Sequence, residues 1–140
     1  MKISARNVLA GKVDKVVKGA VNAEIDLTLQ GGERVVAIIT NVSADALGLG
    51  EGSAAYAIIK ASEVIVGKDV QAGKFSARNV LDGVVAKVED GAVNSEVIIQ
   101  LPGGSEIAAS ITKTSAHTLG LKSGDKVSAI IKASNVIVGV

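Results

Sequence analysis

From Val21 to Gln30 apolar and polar side chains alternate without a break. Val21, Ala23, Ile25, Leu27 and Leu29 fall on one side, and Asn22, Glu24, Asp26, Thr28 and Gln30 on the other. Successive strand residues point to opposite faces, so this stretch predicts a half-buried β-strand. Gly31-Gly32 follows, supplying the positive φ of a tight hairpin, and Val35–Thr40 continues as the partner strand. Ser43–Gly48 reads as a single helical turn, capped by Ser43 and stopped by Gly48. Ala54–Lys60 and Glu63–Val66 are further strands, joined through Ala61-Ser62.

The same pattern then recurs. SARNVL stands at Ser4–Leu9 and Ser76–Leu81, GAVN at Gly19–Asn22 and Gly91–Asn94, and LGL at Leu47–Leu49 and Leu119–Leu121. IIKAS closes each half, at Ile58–Ser62 and Ile130–Ser134, and VIVG follows it. Every pair is offset by 72 residues (76 − 4, 91 − 19), and about 38 of roughly 68 aligned pairs are identical. That is a duplication, with modules at residues 1–68 and 73–140 and a linker at 69–72. A copy of this size is near the lower limit for folding alone, and a linker this short keeps the copies close. Five short strands with one helical turn in each copy predict an all-β protein of two tandem OB-like barrels. The second copy alternates less cleanly, since Ile98 replaces Asp26; it either covers a neighbouring module or is a tolerated surface residue.

Composition supports strands over helices. Hydrophobic residues make up 48% of the 140 and are mostly Val, Ile, Ala and Leu, with one Phe, one Tyr and no Trp. Fifteen basic and fourteen acidic side chains leave a formal charge of +1, which argues against a protein that coats a polyanion. An OB-fold nucleic-acid binder, the alternative reading, relies on aromatic stacking platforms and a basic groove, and both are wanting here. Without cysteine there is no disulfide, thiolate metal site or Cys nucleophile. No stretch has the length of a signal-peptide core or a membrane span, so a cytoplasmic location and no membrane partner are expected.

Catalysis has little to build on. The single histidine, His117, stands where the first copy has Asp45 and reads as a solvated residue on a short helix. Glu24 and Glu96 correspond but read as solvated strand residues, since acid–base work needs a second carboxylate nearby. The expectation is therefore a protein that is not an enzyme and carries no cofactor. The repeated segments offer different chemistry. Ser4-Ala5-Arg6-Asn7 and Lys60-Ala61-Ser62 supply hydroxyls, a guanidinium, an amide and an ammonium, with small alanines that let a ligand approach backbone N–H groups. Gly19-Ala20-Val21-Asn22 adds an accessible turn and another amide. Donors without an obligatory acceptor suit a fully ionised oxyanion and disfavour phosphate, which keeps a proton near neutral pH. Structural readings stand beside this one: Arg6 in an ion pair, Lys60 lying along a strand end, Ser4 and Ser62 capping backbone groups.

The ordered set SARN, GAVNAE, a GG hairpin, T-x-x-S-A, LGL and IKAS-x-V-I-V-G, present twice, resembles the molbindin or molybdenum-pterin-binding (Mop) family in its two-module, free-standing form. The resemblance covers essentially the whole chain. It implies binding of molybdate or tungstate at interfaces between modules, in a homotrimer. It also implies one oxyanion half-set of Ser4, Ala5, Arg6, Lys60, Ala61 and Ser62, and another of Ser76, Ala77, Arg78, Lys132, Ala133 and Ser134. Each site would draw its SARN segment from one module and its KAS segment from a neighbour. A second kind of site, near a symmetry axis, would use Gly19, Ala20, Val21 and Asn22 with Gly91, Ala92, Val93 and Asn94. Only Phe75 and Tyr56 could stack a pterin, so the ligand is read as the bare oxyanion, with no metal cation held directly. Relatives of the module also end transcription regulators and transporter ATPases. Neither a P-loop pattern nor a helix-turn-helix-length segment lies outside the two copies, so intracellular molybdenum storage, buffering or homeostasis is expected.

Overall fold

The computed structural model describes residues 1–140 and is built almost wholly of strands. The first copy contributes β1 (Asn7–Lys18), β2 (Asn22–Leu29), β3 (Arg34–Thr40), helix α1 (Asn41–Ala46), β4 (Ala54–Ile59) and β5 (Ile65–Gly67). The second repeats the series as β6 (Asn79–Asp90), β7 (Asn94–Gln100), β8 (Glu106–Thr112), α2 (Lys113–Thr118), β9 (Lys126–Ile131) and β10 (Ile137–Gly139). The expected all-β pair of five-stranded modules is therefore present.

The alternation in β2 translates directly into burial. Ala23, Ile25, Leu27 and Leu29 are each at most 3% exposed. Val21 breaks the expectation: the strand begins one residue later, and Val21 lies in the preceding turn at 70% exposure. The helix also starts earlier than expected. Its cap is Thr40, whose hydroxyl accepts from the Ser43 N–H at 3.0 Å, because β3 ends at Thr40 and Asn41 is already helical. Strand β1 lacks alternation in the sequence for a visible reason. A bulge between Val13 and Lys15 flips the side-chain order, and the bent strand pairs with β4 through Asn7–Lys12 and with β2 through Gly11–Lys18.

The copies exchange their last strands. The first sheet runs β10-β4-β1-β2-β3 and the second β5-β9-β6-β7-β8. Each sheet thus holds four strands of one copy and the terminal strand of the other. A single hydrophobic core of 25 buried residues runs through both copies. The exchange is reinforced by buried Asn7 and Asn79, each 2% exposed. The Asn7 amide donates to the Ala108 carbonyl (2.9 Å) and accepts from the Ala108 N–H (2.8 Å), copying a backbone ladder pair on β8 of the other copy. Asn79 does the same at Val36 of β3, with both contacts at 2.8 Å.

The two Gly-Gly hairpins meet as well. Only the second glycine of each has positive φ, Gly32 at 96° and Gly104 at 95°. The first is required by close approach: a Cβ on Gly103 would lie 2.1 Å from the Gly31 carbonyl oxygen, and one on Gly31 would lie 2.9 Å from that of Gly103. Glu33 ties the tips by accepting from the Gly103 N–H at 2.9 Å. Gly103→Ala is expected to destabilise the protein by about 1–3 kcal/mol through backbone overpacking. Thermal unfolding of the variant checks this; an unchanged midpoint would show that the tips can separate freely.

Candidate oxyanion groove at the seam

The β1–β4 ladder ends on the pair Asn7↔Ile59, so the next residues outward are Arg6 and Lys60. The register alone brings Ser-Ala-Arg beside Lys-Ala-Ser. Ser4, Ala5, Arg6, Lys60, Ala61 and Ser62 line one groove of about 540 Å³, together with Met1, Ile3 and Ile58 and with Ile137 from the exchanged β10. Within the chain, each Ser-Ala-Arg segment therefore lies beside the Lys-Ala-Ser segment of its own copy. The other copy contributes the groove's edge. In the second copy Asn79↔Ile131 ends the β6–β9 ladder and sets Arg78 beside Lys132 in the same way. Ser76 and Ser134 are exposed and Ala77 half-buried, while Ala133 is buried.

Several donors in the groove are unspent. Lys60 precedes a tight helical turn, Ala61–Glu63, without capping it. Within that turn the Glu63 and Val64 N–H groups bond to the Lys60 and Ala61 carbonyls at 2.9 and 3.3 Å. The Ala61 and Ser62 N–H groups open the turn with no acceptor inside it. Asn7 is not among these donors, since its amide is spent on Ile59 and Ala108.

Both arginines reach across the seam. Arg6 donates through Nη1 and Nη2 to the two carboxylate oxygens of Glu96, at 2.5 and 2.7 Å. Arg78 donates through Nη1 to Glu24 at 2.9 Å. The two pairs are the same contact, related by the 72-residue offset (78 − 6, 96 − 24). Hydrogen bonding to Arg6 and Arg78 holds Glu96 and Glu24 below the usual carboxylate range, and both guanidinium groups are raised in return. Asp26 behaves oppositely: burial, then Glu24 beside it, pushes its carboxyl up, although Lys15 lies 3.6 Å away. One of its oxygens is buried without a partner. Sequence reading missed the glutamates as partners, and their matched positions in the two copies were the available signal.

The GAVN segments are exposed turns at the ends of the β1–β2 and β6–β7 hairpins. Each closes on itself, Gly19 N–H to the Asn22 carbonyl and Gly91 N–H to that of Asn94, both at 2.7 Å. Asn41 braces the first by donating to the Gly19 carbonyl at 2.9 Å; Lys113 takes its place in the second copy. His117 lies on α2, 3.1 Å from Asp90, where the first copy has a Lys18–Asp45 pair. A larger cleft of about 730 Å³ lies against Leu29 and Tyr56, but its only charged residues are Lys12 and Asp14, so it lacks the donor set. No group of three or more His, Cys, Asp or Glu is placed to hold a metal ion.

Duplicated five-stranded modules that exchange their last strands and set Ser-Ala-Arg beside Lys-Ala-Ser in each copy define the class of fold. The chain belongs to the TOBE domain family, whose model matches residues 3–66 and again 76–138. It is 45% identical over 137 residues to the molybdenum-pterin-binding protein MopA of Rhodobacter capsulatus, covering 98% of this chain and 52% of that protein. It is 40% identical over 140 residues to the molybdenum transport protein ModE of Herbaspirillum seropedicae, covering 100% of this chain and 52% of that one. The chain thus spans about half the length of these curated relatives. A one-copy relative, molybdenum-pterin-binding protein 3 of Clostridium pasteurianum, is 47% identical over 66 residues, which are 47% of this chain and 97% of that protein. Among solved structures, the cytoplasmic molybdate-binding protein ModG with molybdate bound superposes with a TM-score of 0.96 at 49% identity, covering 100% of this chain and 99% of that chain. The expected kinship with the Mop proteins holds.

Proposed function

We propose that this chain binds molybdate and tungstate at the Ser-Ala-Arg and Lys-Ala-Ser grooves, and serves intracellular molybdenum storage, buffering or homeostasis in the cytoplasm. The observation that carries this reading is the groove itself: hydroxyls, an ammonium, a guanidinium and turn N–H groups converge where β1 and β4 end. The likeness to molybdate-bound ModG over the full chain supports the choice of anion. The Lys60 ammonium, the serine hydroxyls and the turn N–H groups favour a fully ionised tetrahedral dianion over protonated phosphate. The second half-set, Ser76–Arg78 with Lys132–Ser134, forms the equivalent site. The GAVN turns form a second kind of site when chains assemble as a homotrimer, where their exposed backbone and the Asn22 and Asn94 amides come together. A storage or buffering protein performs no chemistry on its ligand, and the relatives named above are binding and transport proteins and not enzymes.

Nucleic-acid binding has no such support. A relative in Escherichia coli strain K12, the DNA-binding regulator ModE, matches over 99% of this chain but only 52% of its own length. The two aromatic residues, Tyr56 and Phe75, lie on different copies and make no stacking platform.

Separate calorimetric titrations with molybdate, tungstate, sulfate, phosphate and single-stranded DNA test the reading. Heat is expected with the first two; heat with DNA and none with molybdate would overturn it. Lys60→Ala is expected to leave the fold intact and weaken molybdate binding at its site about tenfold, by loss of a charge-assisted hydrogen bond. Arg6→Ala should do likewise. Unchanged affinity in both variants would show that these charges are structural.

A further inference from the structure

Each arginine of the proposed grooves is held by a carboxylate from the other copy, and each carboxylate follows a GAVN turn by two residues: Glu96 after Asn94, Glu24 after Asn22. We infer that Glu96 and Glu24 are positioning residues for oxyanion binding, fixing Arg6 and Arg78 so that each presents its free edge to the groove. This rests on the oxyanion reading above and names residues which that reading does not include.

The geometry of the Arg6 pair carries the inference. Glu96 takes the guanidinium end-on, one oxygen on Nη1 and the other on Nη2. A guanidinium has five N–H donors in a rigid plane. End-on pairing uses two and leaves the Nε edge, with its own parallel pair of N–H groups, for a second anion. An arginine side chain that is otherwise free to sample rotamers is thereby set before the ligand arrives, and the ordering cost of binding falls. Arg6 lines the groove with a side chain 54% exposed, so little else restrains it.

The carboxylate also repels an oxyanion, and the balance decides the sign. Glu96 is 31% exposed at its side chain, so water weakens its repulsion, whereas a fixed fork acts through short charge-assisted hydrogen bonds. Positioning is therefore the larger effect. The two copies differ in how firmly they apply it. Arg78 receives one contact from Glu24, and Glu24 also lies beside the buried carboxyl of Asp26, where the second copy has Ile98. The Arg6 groove is accordingly the better prepared of the two.

The test is a molybdate titration of the full chain as wild type, Glu96→Ala, Arg6→Ala and the double variant, with the melting temperature of each. Wild type is expected to bind. Glu96→Ala should weaken the Arg6 site about three- to tenfold, the worth of one side chain left unordered. In the Arg6→Ala background, removing Glu96 should cost nothing further, since Glu96 acts only through Arg6; an equal loss in both backgrounds would mean a structural role and overturn the inference. Unchanged or tighter binding in Glu96→Ala would also overturn it, the latter by showing that the carboxylate competes with the ligand. Glu96→Gln, which keeps one acceptor, should fall between, and Glu24→Ala should have the smaller effect on its own site. Failure of the wild type to bind molybdate removes the oxyanion reading itself, whereas binding that is indifferent to Glu96 removes only this inference.

Discussion

Residues 1–68 expressed alone are expected to be unfolded as a monomer and to fold only when two such chains exchange their β5 strands. In the intact chain the first sheet is completed by β10, and Val138 within it and Val136 just before it, 7% and 2% exposed, enter the common core. The fragment lacks both, and its own Val64 and Val66, equally buried in the intact chain, lose the second barrel that houses them. Burying one such side chain is worth roughly 1.5–3 kcal/mol, an upper figure because unfolded chains are already partly compact. A core of this size rarely supplies more than about 3–5 kcal/mol, so the loss exceeds the margin. Pairing of two fragments restores every missing contact, since Ile65-Val66-Gly67 and Ile137-Val138-Gly139 are the same sequence. Sedimentation equilibrium with circular dichroism across a dilution series checks the result. Folding and association should be lost together on dilution, and a folded monomer at low concentration would show that β5 can return to its own sheet.

The second large effect is expected at Asn7. Asn7→Ala should destabilise the protein by about 2–4 kcal/mol, because truncation strands buried polar groups that cannot reach water. The Ala108 N–H and carbonyl would each lose a partner, as would the Ile59 carbonyl, which accepts from the same amide at 3.1 Å. Asn7→Asp is expected to do no better: a carboxylate can accept from the Ala108 N–H but cannot donate to either carbonyl, and it buries a charge. Urea denaturation of both variants is the measurement, and a shift under about 0.5 kcal/mol, the range of an ordinary surface change, would mean that the seam readjusts around the gap.

The two arginine-to-glutamate bridges belong to the same logic as Asn7. All of them join residues far apart in the chain, Arg6 to Glu96 and Asn7 to Ala108, and all appear twice at the 72-residue offset. In the sequence Glu96 is one polar residue of an alternating strand, indistinguishable from a solvated neighbour. Asn7 sits among apparent ligand donors, yet its amide is buried and engaged, while Arg6 beside it is exposed. Alternation along a strand tells which side a residue takes; it does not tell what lies on that side.

The sequence by itself determined what is local or repeated. Period-two alternation marked β2, paired glycines marked the hairpins, and the 72-residue offset divided the chain into two copies carrying Ser-Ala-Arg and Lys-Ala-Ser. These features depend on dihedral preferences and on which face an apolar side chain seeks, and both are written in neighbouring residues. Only the tertiary structure decided which copy receives β5 and β10. Backbone hydrogen bonds cannot distinguish two identical Ile-Val-Gly strands, so the choice falls to the path of the chain and to the seam contacts of Asn7, Asn79, Gly31 and Gly103. That same choice placed Ile137 at the edge of the first groove and a carboxylate of the other copy on each arginine, making the seam part of the proposed site.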